Sequence, residues 1–290
     1  MDRNNAAVNW LLEDSNPAIK YRSLKELFGE KANNQDVVTY VNSFLPKGWK
    51  ETKGLWFTYY LNAIAECGLT GEDMSIPKGK ALLLIENEAF GFGCGDFMLL
   101  RAMIMLGYHN EPLIIEQLNQ LNSKQLPDGG FLCLRRLEKL NYTPKSCVKS
   151  NNWALLLCSE CKKRGISLTI TNNLLNYYWE HNLFYKKSDL SELILNARGG
   201  WRTIDTFHPF EVMRVGLHNI VEAFCALGYG NDNRLLDAWN LMNCKKNEKG
   251  QYLLEGTLTK SYLPKERIGR PSKWVTFYSL LAQKNMENNK

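Results

Sequence analysis

The chain has 290 residues, 44% hydrophobic and 23% charged, which excludes a disordered polypeptide and allows a core that needs no staples. Its net charge of +6 is spread among interspersed acidic and basic residues without a long cationic run, so no nucleic-acid partner is expected. The longest apolar runs, such as 81–85, fall far short of a membrane span, and the first residues lack a basic-then-apolar leader, so a cytoplasmic location with reduced thiols is expected.

Val8, Leu11 and Leu12 fall on one helical face. Asn16 followed by Pro17 supplies a cap and a first-turn proline, so a second helix starts there, carries Ile19, Leu24 and Leu27, and stops at Gly29. From Gly48 and Trp49 onward a glycine–aromatic pair recurs, at Gly91-Phe92, Gly130-Phe131, Gly200-Trp201 and, with one residue inserted, Gly250 and Tyr252. Apolar stretches at steps of three and four follow these pairs: Trp56, Tyr59, Tyr60 and Ala63; Trp153, Leu156 and Leu157; Leu217, Ile220, Val221 and Phe224; Trp274, Phe277, Tyr278 and Leu281. Cys158 and Cys161 lie in one such stretch and read as packed thiols. The long interval between Gly130 and Gly200 predicts an extra helical hairpin around Leu174–Leu183.

Two anchors share one register. Leu106-Gly107-Tyr108 and Leu227-Gly228-Tyr229 are 121 residues apart, as are Gly129 and Gly250, and Phe131 and Tyr252. No stretch of comparable length alternates with period two. The expectation is an all-α chain forming a single domain over 1–290, with N-terminal helices in 1–47 and helical repeats from about residue 48. Repeated helical hairpins build either an open solenoid or a closed ring.

The stretch from Leu227 to Tyr252, together with Gln125-Leu126-Pro127-Asp128-Gly129-Gly130-Phe131, resembles the repeat of squalene-hopene cyclases and protein prenyltransferase β-subunits. The resemblance covers roughly residues 90–290. It implies an α/α toroid, a barrel of helical hairpins whose inner helices line a cavity for an isoprenoid, with aromatic faces that stabilise carbocations. The Asp-x-Asp-Asp tetrad of the cyclases is missing, and Cys94 and Asp96 have the spacing of the prenyltransferase zinc pair in reverse order. The chain therefore reads as a divergent member, and the family's chemistry does not transfer residue by residue.

Loops entering the expected inner helices gather the candidate side chains: Gly91–Phe97, Tyr142–Trp153, Trp201–Met213 and Ile268–Trp274. His208, before an expected inner helix Glu211–Leu227, and Asp96 are the candidate proton-handling groups, with Asp96 alternatively capping a helix Phe97–Leu106. Cys147 is a candidate reactive thiol or metal ligand. Cys133, Cys147, His208 and Cys94 are of the types that would hold zinc, the one cofactor this set suggests. Lys145, Arg202, Arg270 and Lys273 are candidate partners for a diphosphate, while Glu211, Trp201 and Trp274 would line the ligand site. His218 reads as a satisfied packing residue. The expected partner is an apolar or isoprenoid small molecule. A non-catalytic toroid that binds a ligand or a protein is the alternative, and a carbohydrate-active barrel using Asp205 and Glu211 is a third reading.

Overall fold

The structure is a computed structural model that describes residues 3, 5–86, 90–132, 140–194, 196–197, 201–212, 214–258 and 262–288; the side chains of Asn196, Ala197 and Trp201 lie outside the description. Cys133, Gly200, Met213 and the Trp201 ring, all named above, therefore lie outside the described residues. The chain is mostly helical with few strands. Among the described residues no helix is long and apolar enough to cross a membrane.

The chain gathers into two compact units, the first made of Met1–Leu45, Glu66–Leu69 and Asn196–Lys290, the second of Pro46–Ala65 and Thr70–Leu195. In chain order the main helices are α1 (Ala6–Leu11), α2 (Pro17–Arg22, continued by a wide π turn over Ser23–Leu27), α3 (Gln35–Phe44), α4 (Gly54–Glu66), α5 (Lys78–Glu86), α6 (Cys94–Met105), α7 (Pro112–Lys124), α8 (Val148–Lys163), α9 (Thr171–Glu180), α10 (Leu217–Ala226), α11 (Leu236–Asn243) and α12 (Lys273–Asn288).

In the second unit α6 packs along α8, and in the first α10 packs along α12. These helices are buried on nearly every side: Phe97 through Ile104 of α6 are all buried, as are Leu217 through Cys225 of α10. Both also bury polar side chains, Arg101 on α6 and His218, Asn219 and Glu222 on α10. By contrast α7 buries only Ile114, Leu118 and Leu121, and α11 only Ala238 and Met242, a single stripe at steps of three and four. Each unit thus pairs two enclosed helices with an amphipathic one that faces outward.

The residues 121 apart adopt the same backbone. Gly107 and Gly228 are left-handed at φ of 94° and 100°, and Gly129 and Gly250 at 84° and 76°. After α6 the Tyr108 amide reaches back to the Met103 carbonyl at 2.9 Å; after α10 the Tyr229 amide reaches Phe224 at 3.0 Å. Both are helix ends closed by a left-handed glycine, whose missing Cβ makes that conformation inexpensive. The turns that follow match as well: Leu126 N–H donates to Gly130 O at 2.8 Å, and Asn247 N–H to Gln251 O at 2.9 Å. The aromatic residue then ties down the next enclosed helix. Phe131 N–H donates to Asn151 Oδ1 of α8 at 2.8 Å, and Tyr252 N–H to Thr276 Oγ1 of α12 at 2.9 Å.

Three expectations are corrected. The interval after α8 holds one helix, α9, and a small antiparallel ribbon, β1 (Tyr185–Lys186) with β2 (Asp189–Leu193), in place of a helical hairpin. Asn182 and Leu183, at φ of 38° and 60°, end α9 and turn the chain into that ribbon. A second ribbon pairs β3 (Asn196–Ala197) with β4 (Trp201–Arg202). The helix expected from Glu211 begins only at Leu217, because Glu211 and Arg214 close a tight local bridge and Gly216 caps α10. The helix expected from Phe97 begins at Cys94, which places Asp96 inside its first turn.

Candidate functional site

The enclosed helix α12 starts where Ser272 caps it, its hydroxyl oxygen accepting Val275 N–H at 3.0 Å, while the Glu266 carboxylate accepts Lys273 N–H at 2.8 Å. That start places Trp274 and Tyr278 one turn apart on a single face. Opposite them the 203–216 loop is pinned by backbone. His208 N–H donates to Gly256 O at 3.2 Å and Gly256 N–H to Thr206 O at 3.0 Å; the Thr206 hydroxyl donates to Leu253 O at 2.6 Å. Gly216 is required here: a Cβ would lie 2.6 Å from the His218 ring and 2.7 Å from the Phe207 nitrogen.

The loop and α10 thereby deliver two imidazoles to the α12 face. His208 stacks on Trp274 with ring centres 4.5 Å apart and planes 18° from parallel. His218 lies 5.8 Å from the Tyr278 ring, and Phe210 joins the two halves, 5.8 Å from His208 and 6.5 Å from Tyr278. His208 is 2% exposed and His218 fully buried, yet among the described residues none of their four ring nitrogens has a hydrogen-bond partner. A buried polar group left unpaired costs about 1–3 kcal/mol. Burial, then the neighbouring His218 and Arg22, hold His208 well below the usual imidazole range; burial and Lys245 lower His218 to about 3. Both rings are neutral at physiological pH, each offering one donor and one acceptor.

Beneath Tyr278 lies an ionic knot. The Arg22 guanidinium donates to Tyr278 Oη at 2.9 Å, to the Glu66 carbonyl at 3.0 Å and to Glu26 at 2.5 and 2.9 Å, and it sits over the Phe277 ring at 4.6 Å. The Tyr278 hydroxyl donates to the Glu66 carboxylate. Burial works against the Arg22 charge, but Glu26, Tyr278 and Glu66 outweigh it and keep the guanidinium ionised.

Of the residues expected at a site, His208 and Trp274 are brought into direct contact. Lys273 is spent elsewhere: its ammonium donates to Trp10 O at 2.5 Å and pairs with Glu13 at 3.2 Å. Arg202 forks onto Asp205 at 2.8 and 3.0 Å. Glu211 pairs with Arg214 at 3.7 Å. Lys145 and Arg270 are exposed, the first in the second unit and the second in the first. Asp96 stays in the second unit, where its carboxylate accepts the Gly91 and Gly93 amides at 3.1 and 2.9 Å, a helix-start role inside the first turn and not at the cap itself.

Cys147 stands at the position before α8 that Ser272 holds before α12; Cys147 N–H donates to Phe131 O at 2.8 Å and Ser272 N–H to Tyr252 O at 2.9 Å. Cys94 is the half-buried first residue of α6. Among the described residues no group of three or more His, Cys, Asp or Glu is placed to hold a metal ion. Burial raises the Cys158 thiol to about 12 and pushes Cys161 up as well, so this pair packs as unreactive thiols.

His218, expected from the sequence to be a satisfied packing residue, has no hydrogen-bonding partner for its ring among the described residues. The sequence reading also missed Tyr278, Arg22 and Glu66. Tyr278 was visible only as one more apolar helical position, and nothing in sequence joins Arg22 to a tyrosine 256 residues away. Comparison with known protein families, with curated proteins and with solved structures finds no match.

Proposed function

We propose that the chain is a divergent α/α toroid of the terpenoid cyclase and prenyltransferase kind, and that it binds an isoprenoid or similarly apolar ligand against the ring-lined face of α12. The observation carrying this reading is the pair of buried imidazoles, whose four nitrogens have no hydrogen-bond partner among the described residues and which are set among Trp274, Phe210 and Tyr278. A core shaped only for stability satisfies its buried polar atoms, so orphan nitrogens in a bed of aromatic rings favour a ligand site. The duplicated arrangement of two enclosed helices with an amphipathic helix outside them supports the toroid, since inner and outer helices alternate in that architecture.

The carbohydrate-active alternative has less support. Asp205 and Glu211 are already engaged by Arg202 and Arg214, so this pair of acids is not held free to act across a sugar bond. Native mass spectrometry with prenyl alcohols and prenyl diphosphates of increasing length tests the proposal. One-to-one complexes that tighten with each added isoprene unit are expected, because each buries more apolar surface. Absence of any complex, or affinity independent of chain length, would overturn it.

A further inference from the structure

We infer that the cleft between α2 and α3 binds a small organic cation, an amine carried on a compact apolar body. The cleft lies within the first unit, is lined from residues 14–39 and holds about 470 Å³, so the inference does not rest on the isoprenoid reading. Small-molecule pockets span about 300–1,000 Å³ and often lie between helices. One wall is a single helical stripe, in which Pro17, Lys20, Tyr21 and Leu24 recur at steps of three and four. The stripe runs from α2 into the π turn of Ser23–Leu27, and the Leu24 carbonyl accepts Glu30 N–H at 3.0 Å. Such turns are rare and are found frequently at functional sites.

Apolar surface is left uncovered there. Tyr21 and Val37 are buried, but Pro17, Leu24 and Ala32 remain half-buried along the cleft, and a bound apolar body would take them out of water. The charges select the other end of the ligand. Asp14, Lys20 and Asp36 line the cleft. Lys20 is spent on Asp14 at 2.6 Å, and that bond holds the Asp14 carboxyl below the usual carboxylate range. Lys25 is engaged with Tyr21, its ammonium 3.0 Å from the hydroxyl and 4.8 Å from the ring centre. Asp36, in the first turn of α3, has no ion pair among the described residues and is free to receive a cation. An anion would meet two carboxylates, and an uncharged ligand would leave Asp36 without a partner.

The test is amide NMR on the full chain, titrated separately with tryptamine, tryptophol and indole-3-propionate, which offer one ring with a cationic, a neutral and an anionic end. Tryptamine is expected to shift amides of residues 17–24 and 32–37 and to bind most tightly, the propionate most weakly. In the Asp36→Asn variant tryptamine should bind roughly two- to fivefold more weakly, the worth of one exposed ion pair, with tryptophol unchanged. Asp36 is exposed, so the variant should fold as the unsubstituted chain does. High salt should narrow the gap between tryptamine and tryptophol in the unsubstituted chain. Equal binding of the three compounds, tightest binding of the propionate, or tryptamine affinity unchanged by Asp36→Asn would overturn the inference. So would shifts confined to other residues, or no shift with any compound at millimolar concentration. None of these results bears on the prenyl alcohols, whose binding tests the isoprenoid reading separately.

Discussion

Arg22 is 3% exposed, and its charge is tolerated only because Glu26, Glu66 and Tyr278 surround it. Removing one member of such a group strands the others in a low-dielectric interior. Arg22→Met should therefore cost about 3–5 kcal/mol in urea denaturation, whereas Tyr278→Phe, which deletes only a hydroxyl, should cost about 1–3 kcal/mol. Equal losses would show that the guanidinium is not the centre of the knot. The histidines make an opposite kind of prediction. Their folded-state affinity for protons lies below the ordinary value of 6.5, so the unfolded chain binds more protons once the pH falls under that value. Stability is then fully present above pH 6.5 and declines below it, a decline to which His218 contributes down to about 3. Each histidine should add about 1.4 kcal/mol of loss per pH unit between roughly pH 6 and 5. Denaturation midpoints of His218→Phe, measured across that window, should fall less steeply than those of the unsubstituted chain; parallel slopes would refute a neutral buried imidazole.

At the scale of elements, the residues 121 apart perform the same tasks with different side chains. Asn151 and Thr276 both accept the amide of the turn aromatic, and Cys147 and Ser272 both precede the enclosed helix. The glycines are alike in backbone and unlike in surroundings. A Cβ on Gly129 would come within 2.2 Å of the Asn173 carbonyl oxygen, whereas on Gly250 it would meet the Ala7 methyl at 3.4 Å and Asn5 Oδ1 at 3.8 Å, both ordinary contacts. Gly250→Ala should thus cost only the left-handed penalty of about 1–2 kcal/mol. Gly129→Ala adds a collision with backbone that cannot give way, and a loss of about 4 kcal/mol or more is expected. Thermal melts of the two variants compare them directly, and similar losses would mean that the α9 end moves aside. Glycine spacing and the period of the apolar residues made this frame readable in the chain. Helix starts were less readable: α10 begins at Leu217, capped by Gly216, because a Glu211–Arg214 bridge forms ahead of it, and the β1–β2 ribbon has too few alternating residues to register as a pattern.

On the scale of the whole molecule, the first unit collects three separated stretches, 1–45, 66–69 and 196–290, and this division leaves no trace in composition because no linker marks it. The same gathering makes the candidate site. Arg22 from α2, Glu66 from the end of α4, His208 from a loop, His218 from α10 and Tyr278 from α12 are far apart in the chain and become neighbours through packing. What the sequence by itself determined was local: mostly helical structure, the glycine-closed turns, the two copies in register, and the aromatic richness of the enclosed helices. These follow from backbone sterics and from a repeat of three to four residues, which act over a few positions. Which cations stay available, which acids are already paired and which imidazoles lack partners were decided only by tertiary structure, because desolvation and hydrogen-bond satisfaction depend on what distant segments bring alongside.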